Sequence, residues 1–183
     1  MTGFSLALAD VIFTYTGYAS VSVQGAPIAF SLGPNNSASP WISTATGPTG
    51  FSVNVAVTNA AEIYYDEPIE LTVNQAGNIY VNNITISESS TSLINNMYVN
   101  IVTGSPSSPT LVGSLPIIQS GTYAAEAPHS SLISLGPGTY YLSLWIEPNV
   151  PLSSSSATET VTVSFGYNVV ANSAVPVVTQ ATP

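Results

Sequence analysis

Apolar side chains recur at every second position through most of this chain, and that spacing restricts it to strands. Phe51, Val53, Val55 and Val57 alternate with Ser52, Asn54, Ala56 and Thr58. Met97, Val99 and Ile101 alternate with Tyr98, Asn100 and Val102. Tyr140, Leu142, Leu144 and Ile146 oppose Tyr141, Ser143, Trp145 and Glu147, and Val161, Val163, Phe165 and Tyr167 oppose Thr162, Ser164, Gly166 and Asn168. Leu71 and Val73 share the pattern, as do Ile79 with Val81 and Ile84 with Ile86. Val, Ile, Thr, Tyr and Phe dominate these runs, residues that pack well on a pleated surface. Turn signals separate them at Gly33-Pro34-Asn35-Asn36, Gly47-Pro48, Gly104-Ser105-Pro106, Gly136-Pro137-Gly138 and Ser153 to Ser156. Asn74 to Asn78 reads as a hairpin loop between two strands. No segment carries a helical period with caps. The expected fold is all-β, one β-sandwich, jelly-roll-like or immunoglobulin-like, over residues 17–183 preceded by a strand at residues 1–16.

Charge then narrows the function. Among 183 residues there is no Lys, no Arg and no Cys, against nine Asp and Glu and one His. Without basic side chains there is no footprint for a phosphate backbone, so nucleic acid is excluded as a partner. Phosphate-loop lysines, arginine fingers and Schiff-base lysines are excluded with it, and so are disulfides and thiol catalysis. Charged residues are only 5% of the chain while 45% are hydrophobic, which is not a disordered composition. Ser and Thr supply about a quarter of the residues, so the surface is mostly hydroxyl and amide. Such a surface suits an extracellular filament whose copies meet through neutral hydrogen bonds. The net charge of −9 repels copies at long range, so side-by-side association should rise with calcium or acid. No apolar run approaches the length of a membrane-spanning helix. Met1 to Ala9 holds no basic residue and only a short apolar stretch, so the chain reads as secreted with its signal peptide already removed.

The N-terminus carries the most pointed feature. Phe4, Leu6 and Leu8 alternate with Ser5, Ala7 and Ala9, and Val11, Ile12, Phe13 and Tyr15 follow in a segment that is β-prone on both faces. A strand this apolar is an aggregation hazard when left free. It has two uses: an edge strand of its own domain, or a strand donated to a groove in a neighbouring copy.

Candidate chemistry is sparse. Glu62, Asp66, Glu67 and Glu70 form one acidic cluster, a weak candidate for calcium through oxygen ligands, and otherwise a solvated acidic turn. The spacing matches no metal loop, so neither metal nor cofactor is expected. His129 stands alone beside Pro128, without a nucleophile elbow or a zinc motif, and no enzyme is expected. Trp41 and Trp145 suit core packing, or stacking on sugars in a lectin. Asn35 and Asn83 each open a glycosylation acceptor, Asn35-Asn36-Ser37 and Asn83-Ile84-Thr85.

The layout as a whole resembles a known family. Phe13-Thr14-Tyr15-Thr16 is followed by Ala19-Ser20-Val21-Ser22-Val23 and Gly25-Ala26-Pro27-Ile28-Ala29-Phe30-Ser31-Leu32. Asn78 to Ile86 lies mid-chain, and Leu135-Gly136-Pro137-Gly138-Thr139-Tyr140-Tyr141-Leu142-Ser143-Leu144 leads to Thr160-Val161-Thr162-Val163-Ser164-Phe165. This resembles the TasA/camelysin family of matrix-fibre proteins, and most of all the archaeal bundling pilins of Pyrobaculum-type organisms. The resemblance implies a jelly-roll subunit and a fibre built by donor-strand complementation, with Phe4, Leu6, Leu8, Val11, Ile12, Phe13 and Tyr15 as donor residues. The metalloprotease activity attributed to camelysin does not carry over, since no zinc motif is present. The expected function is a non-enzymatic subunit of a laterally bundled extracellular filament, with other copies of itself as partner. The alternatives are a monomeric lectin-like or adhesive module and a coat protein of a closed shell.

Overall fold

The computed structural model describes residues 25–38, 41–47, 50–88, 93–105, 107–123, 132–152 and 159–169. These hold twelve strands and no helix: β1 (Ile28–Leu32), β2 (Ser37–Ala38), β3 (Ile42–Gly47), β4 (Gly50–Val55), β5 (Ile63–Val73), β6 (Gly77–Glu88), β7 (Ile94–Ser105), β8 (Ser108–Gln119), β9 (Thr122–Tyr123), β10 (Ile133–Leu135), β11 (Gly138–Pro148) and β12 (Glu159–Asn168). The all-β expectation holds, and the sheets pack as a sandwich. The N-terminal strand expected at residues 1–16 lies outside the described residues.

One layer is a six-stranded antiparallel sheet in the order β1-β5-β11-β7-β8-β9. The other layer comes in two parts, β10-β6-β12 and β2-β3-β4. β6 and β10 lie over β8, while β3 and β4 lie against β1. The core between the layers follows from the period of two. Register places Tyr65, Leu144, Val99 and Leu115 in one transverse row, and Ile63, Ile146 and Met97 in another. Ile69, Leu71, Ile101, Leu115, Leu142 and Ile146 are almost wholly buried there.

Breaks in the alternation correspond to bulges. In β6 the apolar phase moves from odd positions (Ile79, Val81) to even ones (Ile84, Ile86). Opposite it, Ser164 pairs with Asn83 and Phe165 with Val81, so Asn82 is the extra residue that absorbs the change. β8 carries two such residues, Val112 and Ile117, each skipped in the pairing with β7.

One expectation needs correction. Asn74 to Asn78 is not a hairpin loop, because β5 and β6 belong to different sheets. The segment carries the chain from one layer to the other, held by Asn74 N–H and Gln75 N–H donating to the Pro27 carbonyl. Gly77 already belongs to β6.

The acidic segment also differs from the solvated turn expected of it, since all of it after Glu62 lies within β5. Between the pairs Leu142–Ile69 and Leu144–Tyr65, the residues Asp66, Glu67 and Pro68 face Ser143 alone. Glu67 takes a left-handed backbone (φ 48°) at this bulge. The turn after β1 braces it: Gly33 N–H donates to the Pro68 carbonyl at 3.0 Å and Asn35 N–H to that of Glu67 at 3.4 Å. A Cβ on Gly33 would stand 2.1 Å from the Glu67 carbonyl oxygen and 2.9 Å from Ile69 N, both backbone atoms. Gly33→Ala is therefore expected to destabilise the domain by about 1–3 kcal/mol, as overpacking does, readable in a denaturant titration.

Candidate functional site, a groove between two strand edges

Among the described residues no strand pairing joins the two parts of the second layer. β12 ends one and β4 ends the other, and among the described residues neither outer edge has a partner strand. Between them runs a groove of about 1560 Å³. Its walls are Phe51, Val53, Val55 and Val57 on one side and Val161, Val163 and Phe165 on the other. Its floor is the middle of the six-stranded sheet, Met97 and Val99 from β7 with Leu144 and Ile146 from β11. The wall residues are only half-buried, although their sequence pattern is that of core strands.

The strands on the two banks run in opposite directions. At one end Phe30 meets Phe51 edge-on at 5.0 Å, and Phe51 stacks on Phe165 at 6.1 Å. At the other, Leu152 N–H donates to the Asn59 side chain at 2.8 Å, and Leu93 N–H donates to the Glu159 carboxylate. The start of β4 thus lies beside the end of β12. A single strand laid in the groove would be antiparallel to one bank and parallel to the other, a mixed pairing that sheets accommodate. Seven residues of such a strand span ~23 Å, the length of the wall from Phe51 to Val57. The Tyr65 hydroxyl donates to the Ala56 carbonyl and ties β5 to this bank, while burial raises the pKa of the phenol.

The acidic cluster disperses. Glu62 accepts from the Trp145 indole N–H at 3.1 Å, Asp66 from the Ser143 hydroxyl at 3.2 Å, and Glu70 from the Ser31 hydroxyl at 3.2 Å. Among the described residues no group of three or more His, Cys, Asp or Glu is placed to hold a metal ion. Glu67 is fully buried and neither of its carboxylate oxygens has a hydrogen-bond partner. Burial pushes its pKa above the usual carboxylate range, and the Asp66 charge adds to the rise.

The native state holds this proton more tightly than the unfolded chain does. The stability gained is complete below the unfolded value, about 4.3, and is lost as pH rises through the raised native value. Glu67→Gln, which cannot ionise, should therefore melt a few degrees above the parent at pH 8. The advantage should disappear at pH 4, as thermal unfolding at the two pH values would show.

No family model matches the chain, and no curated protein matches it.

The remaining residues singled out in the sequence are scattered. Phe4, Leu6, Leu8, Val11, Ile12, Phe13, Tyr15 and His129 lie outside the described residues. Asn35 is exposed in the turn after β1, and Asn83 is exposed on β6. Trp41 is half exposed just before β3, and its carbonyl accepts from Ala56 N–H at 2.9 Å. Trp145 is on the outer face of the six-stranded sheet, away from the groove. No helix among the described residues is long and apolar enough to cross a membrane. A groove is what the donor-strand reading calls for, but its position between β4 and β12 is not legible in the sequence. Its signal was the strict alternation of β4 and β12, which a paired strand would show equally.

Proposed function

We propose that this chain is a non-enzymatic structural subunit of an extracellular filament. In this reading the N-terminal segment of one copy, from Phe4 to Tyr15, fills the groove between β4 and β12 of the next. The observation that carries it is the pair of strand edges, without a partner strand among the described residues, that face each other over an apolar floor. An inserted strand would satisfy hydrogen-bonding groups on both edges, join the two parts of the second layer and cover the half-buried wall residues. The completed molecule is then a jelly-roll-like sandwich.

The chain itself supplies a segment of the right kind in the alternation of Phe4, Leu6 and Leu8 and the apolar run that follows. Burying six such side chains yields roughly 10 kcal/mol gross, before the ordering and association costs. Donation from copy to copy is heterologous and does not close, so it makes a linear polymer. A surface of hydroxyls and amides without fixed cations suits secretion and lateral bundling, and the resemblance to TasA/camelysin fibre proteins points the same way. Electron microscopy and light scattering of the full chain test the reading. Long unbranched filaments are expected. A monomer that persists at every concentration would place the N-terminal strand in its own groove and overturn it.

A further inference from the structure

The outer face of the six-stranded sheet, opposite the groove, carries a second arrangement. Register aligns Tyr64 of β5, Trp145 of β11 and Tyr98 of β7 in one row across three adjacent strands. Trp145 and Tyr98 meet edge to face at 5.4 Å, and Tyr64 is 48% exposed. Polar groups flank the row on both sides. On one side Ser114 donates to the Asn100 side-chain carbonyl at 2.6 Å. On the other, Glu147 accepts from the Asn95 and Asn96 amides.

We propose that this row binds a neutral polysaccharide, its pyranose rings lying across Tyr64, Trp145 and Tyr98. Adjacent strands are about 4.8 Å apart, close to the length of one sugar ring in a chain, so the row spans two to three rings. The aromatic bodies supply apolar surface for the C–H faces of the sugar. The flanking carboxylate, amide and hydroxyl oxygens supply acceptors for its O–H groups.

Charge decides among occupants. The face carries Glu62 and Glu147, and the chain has no Lys or Arg to balance them. Uronates, sulfates and phosphates are therefore repelled, and so is the same face of a second copy. A cationic partner would call for carboxylates free to pair with it. Glu62 is instead held by the indole N–H of Trp145 and Glu147 by two amides, which fixes them as oriented acceptors. This inference is independent of the filament reading, since none of these residues lines the groove.

The test titrates the full chain, carrying Trp41→Phe so that emission reports Trp145 alone, with soluble hydroxyethyl cellulose, laminarin, galactomannan and starch. At least one should shift the emission, and polygalacturonate should not. Tyr98→Ala and Tyr64→Ala should each weaken that binding about tenfold or more, the loss typical of an anchoring ring. Tyr64→Ala, at an exposed position, should leave the melting temperature unchanged. No response to any neutral polymer overturns the proposal, as does a response that survives both substitutions. A response to polylysine alone overturns it in favour of a cationic partner. Loss of side-by-side filament association in the variants, with no glycan response in the parent, overturns it in favour of a second copy.

Discussion

Removing Met1 to Tyr15 should leave a folded subunit that forms no filament at all. The twelve described strands begin at Ile28 and supply the core of Ile69, Leu71, Ile101, Leu142 and Ile146, so that core should survive the loss of the segment. Far-ultraviolet circular dichroism should keep its β signature, while electron micrographs of the truncated chain show no fibres. The open groove leaves two strand edges and its half-buried apolar walls facing water, so the truncated subunit should be prone to disordered aggregation. A peptide of residues 1–16 added to growing full-length filaments should cap them, because it occupies the acceptor without supplying a new one. Filaments of normal length from the truncated chain would show that the segment is not the link.

The second large effect should come from the acceptor side. Val163 sits mid-way along the β12 wall, half-buried in the subunit and facing the groove. In Val163→Asp the isolated subunit can keep the new carboxylate hydrated. Once a strand fills the groove the charge is buried, and the chain has no Lys or Arg to pair with it. A buried unpaired charge costs several kcal/mol, which corresponds to at least about a hundredfold weaker association. Filament growth should stop at concentrations where the parent polymerises, with the melting temperature of the isolated subunit little changed. Val163→Ile, which keeps the apolar wall, should polymerise normally. A Val163→Asp chain that polymerises as the parent does would move the junction elsewhere on the molecule.

β11 and β12 are legible because their apolar side chains keep one phase from end to end, and β7 because it does so from Met97 to Ile101. The phase change in β6 is visible as well, in the step from Val81 to Ile84, although only the pairing with β12 shows that Asn82 is the residue that bulges. β8 escapes notice for the same physical reason, since two extra residues, Val112 and Ile117, and a proline at 116 break its alternation. Period two says which side chains share a face but not which strand lies alongside. That is why residues 74–78 read as a hairpin when they cross between layers, and why the open edges of β4 and β12 leave no mark. Glu67 was hidden by its neighbours. Three of the four acids in the cluster remain near solvent, so the cluster reads as a turn, while a two-residue bulge opposite Ser143 buries the fourth. The aromatic row needs the register of three strands whose residues 64, 98 and 145 are distant in sequence, and no local pattern encodes that.

The absence of native cysteine makes the central claim directly measurable. Leu6→Cys can be combined in one chain with Val161→Cys, Val163→Cys or Phe165→Cys, so that the register of the inserted strand need not be known in advance. After mild oxidation the products are separated on a denaturing gel without reductant. Donation from copy to copy predicts a ladder of covalent multimers in at least one combination, and no ladder from any single-cysteine chain beyond a dimer. A crosslink confined to the monomer band, or none in any of the three combinations, would contradict it.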